Sequence, residues 1–123
     1  MKAQLLISVV DDDESVRESL PELLKELGFD ARTFSSAREF LASDAPLQSS
    51  CLILDVAMPG MSGPELSHEL RGRDLKIPTI FITARKDEAV RSRLLREGAV
   101  ECLFKPFSDT ALLKALNKAV GNK

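Results

Sequence analysis

Residues 4–13 read QLLISVVDDD, a short apolar run that ends abruptly in three carboxylates. The run, residues 4–10, is rich in β-branched residues, which favours a strand over a helix. The segment after it ends at Gly28, where a C-terminal helix cap is expected. Its apolar residues form one helical stripe: Val16, Leu20, Leu23, Leu24 and Leu27. The stretch therefore predicts a strand, an acidic strand end and an amphipathic helix.

The same alternation continues along the chain. Further apolar runs lie at residues 29–34, 51–54, 79–82 and 100–104. Helical segments follow them at residues 35–41, 64–71, 87–97 and 108–120, several beginning at a Ser or Asp suited to an N-cap. Short strands alternating with helices are typical of a parallel sheet covered on both faces. The sequence therefore predicts an α/β fold of the (βα)5 type.

Length and charge limit the classes of function. A chain of 123 residues has the size of one ordinary domain, so we expect a single domain over residues 1–123. Its 17 basic and 19 acidic side chains leave a formal net charge of −2. Such a balance lacks the basic excess that holds DNA or anionic lipid, so we expect no direct contact with nucleic acid.

No apolar run approaches the length needed to cross a bilayer, and the N-terminus does not resemble a cleavable signal. We therefore expect a cytoplasmic protein with no membrane contact. The two cysteines, Cys51 and Cys102, each lie in an apolar, strand-like segment. In that setting a cysteine is usually a small core residue, so we expect neither a metal set nor a disulfide.

The reactive side chains follow the apolar runs. Ligands of open α/β sheets bind outside the carboxyl ends of the strands, so residues at these positions are the candidates for a site. Four of the five runs end in such groups: Asp11, Asp12 and Asp13, then Asp55, Thr83 and Lys105. Converging carboxylates repel one another unless a cation joins them, and hard oxygen ligands suit Mg²⁺. A hydroxyl and an ammonium complement phosphoryl oxygens, so the set indicates phosphoryl transfer to a carboxylate.

Four blocks of sequence resemble the signature motifs of response-regulator receiver domains. They are VDDDE at residues 10–14, LDVAMPGMSG at 54–63, ITA at 82–84 and FKPF at 104–107. The resemblance covers essentially the entire chain and is strongest to the branch typified by regulators of nitrogen fixation. It implies a flavodoxin-like three-layer sandwich with strand order 2-1-3-4-5. It also implies a two-component signalling switch rather than an enzyme acting on an external substrate.

The resemblance assigns a role to each motif position. Asp55 would accept the phosphate from a sensor histidine kinase or a phosphotransfer protein. Asp12 and Asp55 would bind Mg²⁺ through their side chains, and Asp11 would act beside them through water. The backbone carbonyl of Ala57 would complete the set of ligands that the protein supplies. Thr83 and Lys105 would contact the phosphoryl oxygens. The bond between Lys105 and Pro106 would be cis, aiming Lys105 into the site.

Some positions depart from the family pattern. Ala57 occupies a position where the family commonly has a polar side chain. Arg85, two residues after Thr83, also departs from the common choice. Cys102 occupies a position that usually carries Tyr or Phe. Phe104 lies on the same side of the strand as Cys102, and Arg91 lies on the preceding helix. We expect Cys102, Phe104 and Arg91 to mark an output surface, which the family implies for a phosphorylation-dependent homodimer or partner complex. A partly buried Phe beneath solvated arginines is the alternative.

Three other functions fit parts of the pattern. An aspartate-nucleophile phosphatase also places an Asp after a strand, but it needs a second Asp two residues later, where this chain has Ala57. A flavin mononucleotide binder needs a phosphate cradle and flanking aromatics, and the chain has no Trp and no Tyr. A receiver-like interaction module that is never phosphorylated remains an alternative, although the acidic, hydroxyl and ammonium groups are all present.

Overall fold

In the part of the chain that the structure describes, the apolar runs form five parallel strands in one sheet. The structure, a computed structural model, describes residues 4–121. The strands are β1 (Leu6–Val10), β2 (Asp30–Phe34), β3 (Cys51–Asp55), β4 (Thr79–Thr83) and β5 (Glu101–Phe104). Their spatial order is β2-β1-β3-β4-β5, and every neighbouring pair is parallel. The predicted fold and strand order are confirmed.

Within residues 4–121, six helices connect or follow the strands. They are α1 (Glu14–Glu26), α2 (Ala37–Leu41), α3 (Ala45–Gln48), α4 (Gly63–Gly72), α5 (Glu88–Arg96) and α6 (Asp109–Ala119). Side-chain oxygens cap the first turns of five of them: Asp13, Ser36, Ser62, Asp87 and Ser108. The sequence did not predict α3, which is a single turn with no side-chain cap and with Pro46 near its start.

Side chains of successive strand residues alternate between two cores, because adjacent residues of a strand point to opposite faces of the sheet. One core packs against α2, α4 and α5 and contains Val10, Leu54 and Phe81. The other packs against α1 and α6 and contains Val9, Ile53 and Ile82. Cys51 and Cys102 are both buried and free, and they lie in different cores on opposite faces.

The strand register aligns the ends of the strands at one edge. Val10 lies opposite Leu54, so Asp11 and Asp55 both follow directly from paired positions. Asp55 lies opposite Ile82, and Thr83 lies opposite Phe104. The chemistry-bearing residues therefore converge at the carboxyl edge. Between residues 4 and 121 we find no helix long and apolar enough to cross a membrane.

Candidate functional site

Three carboxylates converge at the carboxyl ends of β1 and β3. Carboxylate oxygens of Asp11, Asp12 and Asp55 all lie within 4.8 Å of one another, and we call these three residues the acidic corner. Asp11 is fully buried and Asp55 is 7% exposed, whereas Asp12 is exposed. Hard oxygen donors grouped in this way can hold a small divalent cation, and the set fits Mg²⁺. Its open side is formed by Asp12.

The polar groups of Asp11 are all occupied by protein partners. Its N–H donates to the carbonyl of Phe34 (3.1 Å), and its carbonyl accepts from Nη1 of Arg17 (2.9 Å). Its carboxylate accepts from the N–H of Asp13 (2.9 Å) and from Nζ of Lys105 (3.0 Å). Asp11 is thus fixed by elements on both sides of it, which is the arrangement a buried charge requires.

The electrostatics of the corner act most strongly on Asp55. Burial, and then the hydrogen bond and the negative charge of Asp11, raise the pKa of Asp55 from 3.8 to about 7. Lys105 and the backbone N–H of Ala57 act in the opposite direction and limit the rise in that pKa. Without a cation, a substantial fraction of the molecules therefore carries a proton on Asp55 near pH 7, and a divalent ion would displace that proton.

Lys105 reaches the corner from the end of β5. Its Nζ lies 3.0 Å from Oδ2 of Asp11 and 3.9 Å from Oδ1 of Asp55. The backbone N–H of Lys105 donates to the carbonyl of Thr83 (2.8 Å). The bond between Lys105 and Pro106 is cis, as the family resemblance predicts. Lys105 is thus the cation closest to the predicted phosphoacceptor among the ion pairs of residues 4–121.

Thr83 ends β4 and is buried. Its hydroxyl oxygen accepts a hydrogen bond from the backbone N–H of Arg85 (3.1 Å), so the hydroxyl hydrogen is not used by that contact. The guanidinium of Arg85 is exposed and makes no ion pair with any residue in the range 4–121.

Sequence reasoning missed Gly63, which lies directly against the phosphoacceptor strand. A Cβ added at Gly63 would overlap the carbonyl oxygen of Asp55 and would stand 3.3 Å from Cε1 of Phe81. The N–H of Gly63 donates to the carbonyl of Val56 (3.1 Å). Only a residue without a side chain lets α4 begin this close to Asp55. The glycine in the motif was visible in the sequence, but this contact was not.

The predicted output residues lie together but differ in exposure. Arg91 Nε donates to the carbonyl of Cys102 (3.1 Å), and Arg91 Nη2 contacts Oε1 of Glu101 (2.9 Å). We call Arg91, Glu101 and Phe104 the α5–β5 face. Phe104 is partly exposed, but the thiol of Cys102 is buried beneath this face and adds no side-chain surface to it. That part of the expectation is corrected, because Cys102 packs into the core that contains Leu94 of α5, whereas Phe104, on the same side of β5 but at its end, is only partly covered.

Comparison with known proteins agrees with the geometry. The family model "Response regulator receiver domain" matches residues 7–117. Nodulation protein W of Bradyrhizobium diazoefficiens is 44% identical over 111 residues, which are 90% of this chain and 49% of that protein. The transcriptional regulatory protein FixJ of Azorhizobium caulinodans is 38% identical over 121 residues, 98% of this chain and 57% of that protein. The chain thus spans about half the length of these curated relatives.

Solved structures show the same likeness. The response regulator StyR has a TM-score of 0.87 and 45% identity, covering 97% of this chain and 60% of that one. FixJ-N has a TM-score of 0.85 and 35% identity, covering 99% of this chain and 98% of that one. The resemblance to the nitrogen-fixation branch is confirmed. The chain belongs to the response regulator receiver domains, the phosphorylation-dependent signalling switches of two-component systems.

Proposed function

We propose that Asp55 accepts a phosphoryl group from a phosphohistidine of a sensor histidine kinase or phosphotransfer protein, with Mg²⁺ held at the acidic corner. The observation that supports this most directly is the convergence of Asp11, Asp12 and Asp55 within 4.8 Å, with the ammonium of Lys105 beside them. In this proposal Asp12 and Asp55 bind the metal through their side chains, Asp11 acts through water and Ala57 contributes its carbonyl.

The transfer needs little covalent chemistry from the protein. An oxygen of the Asp55 carboxylate forms a bond to phosphorus as the bond from phosphorus to the donor's imidazole nitrogen breaks. The electron pair leaves with that nitrogen, which takes up a proton from solvent. Bound Mg²⁺ would neutralise charge on the carboxylates and the phosphoryl oxygens. What the chain supplies is mainly position and charge.

Lys105 and Thr83 stabilise the product in this proposal. The ammonium of Lys105 leaves Asp11 for a phosphoryl oxygen, a short movement because it already lies 3.9 Å from the carboxylate of Asp55. The hydroxyl of Thr83 turns to donate its unused hydrogen to another phosphoryl oxygen. Thr83 pairs in register with Phe104, so its movement reaches the α5–β5 face. A change at that face then promotes a homodimer or a partner complex.

The test is phosphate transfer from a panel of autophosphorylated histidine kinases, with and without Mg²⁺. We expect at least one kinase to label the wild type only when Mg²⁺ is present, and none to label Asp55→Asn. Asp12→Ala should remain folded and be labelled slowly, because the exposed member of the corner is lost. Equal labelling of Asp55→Asn would remove the proposal.

A further inference from the structure

One arginine of α1 contacts the backbone beneath the acidic corner. Arg17 is partly buried, and its Nη1 donates to the carbonyl oxygen of Asp11 at 2.9 Å. This oxygen belongs to the peptide group that joins Asp11 to Asp12. We infer that Arg17 is a positioning residue, which orients this peptide and thereby sets where the Asp12 carboxylate stands for a divalent cation. The inference rests on the proposed function of the corner.

The contacts around this peptide explain why one hydrogen bond matters. Asp11 is anchored through its N–H, its carboxylate and its buried position, but Asp12 is exposed. The carbonyl of Asp11 lies past the last paired position of β1, which is Val10. A buried carbonyl that lost its donor would turn toward another one, since leaving it unpaired is costly. Turning this peptide also moves Asp12.

The backbone of α1 joins the same arrangement. The N–H of Arg17 donates to the carbonyl of Asp13 at 3.2 Å, and the side chain of Asp13 caps the helix by accepting from Ser15. The first turn of α1 is thereby fixed to the loop, and the Arg17 side chain extends back from that turn to Asp11. These hydrogen bonds therefore hold the N-terminus of α1 and the loop of residues 11–13 together as one unit.

The sign of the expected effect separates positioning from simple charge. Arg17 carries a positive charge near a site for a cation, so removing it by Coulomb's law alone would strengthen Mg²⁺ binding. If Arg17 positions Asp12, removing it weakens Mg²⁺ binding instead. Groups that orient metal ligands typically change affinity by about 10–100-fold when they are lost, and we expect about tenfold here.

The experiment is calorimetric titration of the whole chain with Mg²⁺, a method chosen because the chain has no Trp and no Tyr to report binding by fluorescence. Arg17→Met and Arg17→Gln should bind Mg²⁺ about tenfold more weakly than the wild type while remaining folded by circular dichroism. Arg17→Lys, which keeps a donor and the charge, should bind with intermediate affinity. Lys25→Met removes an exposed cation from the same helix and should bind Mg²⁺ like the wild type.

Each other result counts against the inference. Affinity equal to or tighter than the wild type in Arg17→Met and Arg17→Gln would contradict it, as would an equal loss in Lys25→Met. Unfolding of both Arg17 variants would also contradict it, because that would make Arg17 a stability residue. A wild type that does not bind Mg²⁺ would instead overturn the proposed function, so the two failures are distinguishable.

Discussion

The acidic corner and the α5–β5 face are held together by different kinds of contact. At the corner, the ion pair between Lys105 and Asp11 joins residues 94 positions apart in the chain. On the α5–β5 face, Arg91 contacts Cys102 and Glu101, which are 11 and 10 positions away. The corner is therefore set by the whole fold, whereas the face depends on local contacts near solvent. Substitutions should therefore lower the free energy of unfolding more at the acidic corner than on the α5–β5 face, and the face is better suited to rearrange.

The largest expected effect comes from disturbing the backbone of the corner. Gly63→Ala places a Cβ against the Asp55 carbonyl, a backbone atom that cannot move aside cheaply. We expect the free energy of unfolding to fall by about 1–3 kcal/mol, measured by urea denaturation, with slower phosphorylation.

Gly72→Ala is the matched control at the other end of α4. An added Cβ there meets nothing within 4 Å. Alanine favours a helix over glycine, so we expect unchanged or higher stability, by up to about 1 kcal/mol. If both variants lost the same free energy of unfolding, the close approach of α4 to Asp55 would not be the reason that position 63 needs a glycine.

The second prediction concerns pH at the corner. Because the pKa of Asp55 is raised to about 7, Mg²⁺ must displace a proton below that pH. We expect Mg²⁺ affinity to fall about tenfold from pH 8 to pH 6, measured by calorimetry. Asp55→Asn, which has no proton to displace, should bind more weakly and show much less dependence on pH in that range.

The same raised pKa has a consequence for the metal-free protein. The folded state holds the Asp55 proton more tightly than the unfolded chain does, because in the unfolded chain the pKa of this carboxyl has its ordinary value of 3.8. The stability from this group is therefore fully present below about pH 4 and is lost as the pH rises through about 7. The difference in unfolding free energy between Asp55→Asn and the wild type should grow over that range. A constant difference would contradict the raised pKa.

The third prediction tests the α5–β5 face. Phe104 is partly exposed and pairs in register with Thr83. Phe104→Ala should leave phosphorylation of Asp55 intact but weaken phosphorylation-dependent dimerisation about tenfold, measured by light scattering. Leu47→Ala removes an apolar side chain that is 79% exposed on α3, and it should leave dimerisation unchanged. Equal dimerisation of wild type and Phe104→Ala would exclude Phe104 as an anchor.

The smallest expected effect concerns the lifetime of the phosphorylated state. Ala57→Asn would supply a polar group able to orient a hydrolytic water, and Arg85→Ala would open access to the phosphoryl group. We expect each to speed loss of phosphate about two- to fivefold, which is under about 1 kcal/mol of activation free energy. Phosphate release in the presence of Mg²⁺ measures this. Unchanged or slower release in both variants would show that neither side chain controls the water.

The sequence predicted the elements of the site because parallel strands bring their carboxyl ends to one edge. The positions of Asp11, Asp55, Thr83 and Lys105 follow from the ends of four of the five strands and need no tertiary detail. The cis bond before Pro106 came from the family resemblance, not from the residues.

Contacts made by helices were not predictable in the same way. The hydrogen bond from Arg17 depends on how α1 lies against β1, and the tight fit of Gly63 depends on how closely α4 approaches β3. The α3 turn has a weak local signal and is tied down by tertiary contacts, since Ser49 at its end contacts the buried Ser8 of β1 (2.6 Å). The sequence indicated Cys102 both as a small core residue and as part of the output surface, and the structure supports the core position, because Cys102 is buried.

The most direct test of the account is to locate the phosphate. Wild-type protein incubated with Mg²⁺ and a small phosphoryl donor such as phosphoramidate can be reduced with borohydride, which converts an aspartyl phosphate to homoserine, and then mapped by mass spectrometry. The account predicts homoserine at position 55 only, and none when Mg²⁺ is chelated or when Asp55 is replaced by Asn. Conversion at Asp11 or Asp12 instead, or a Mg²⁺-independent signal at position 55, would contradict it.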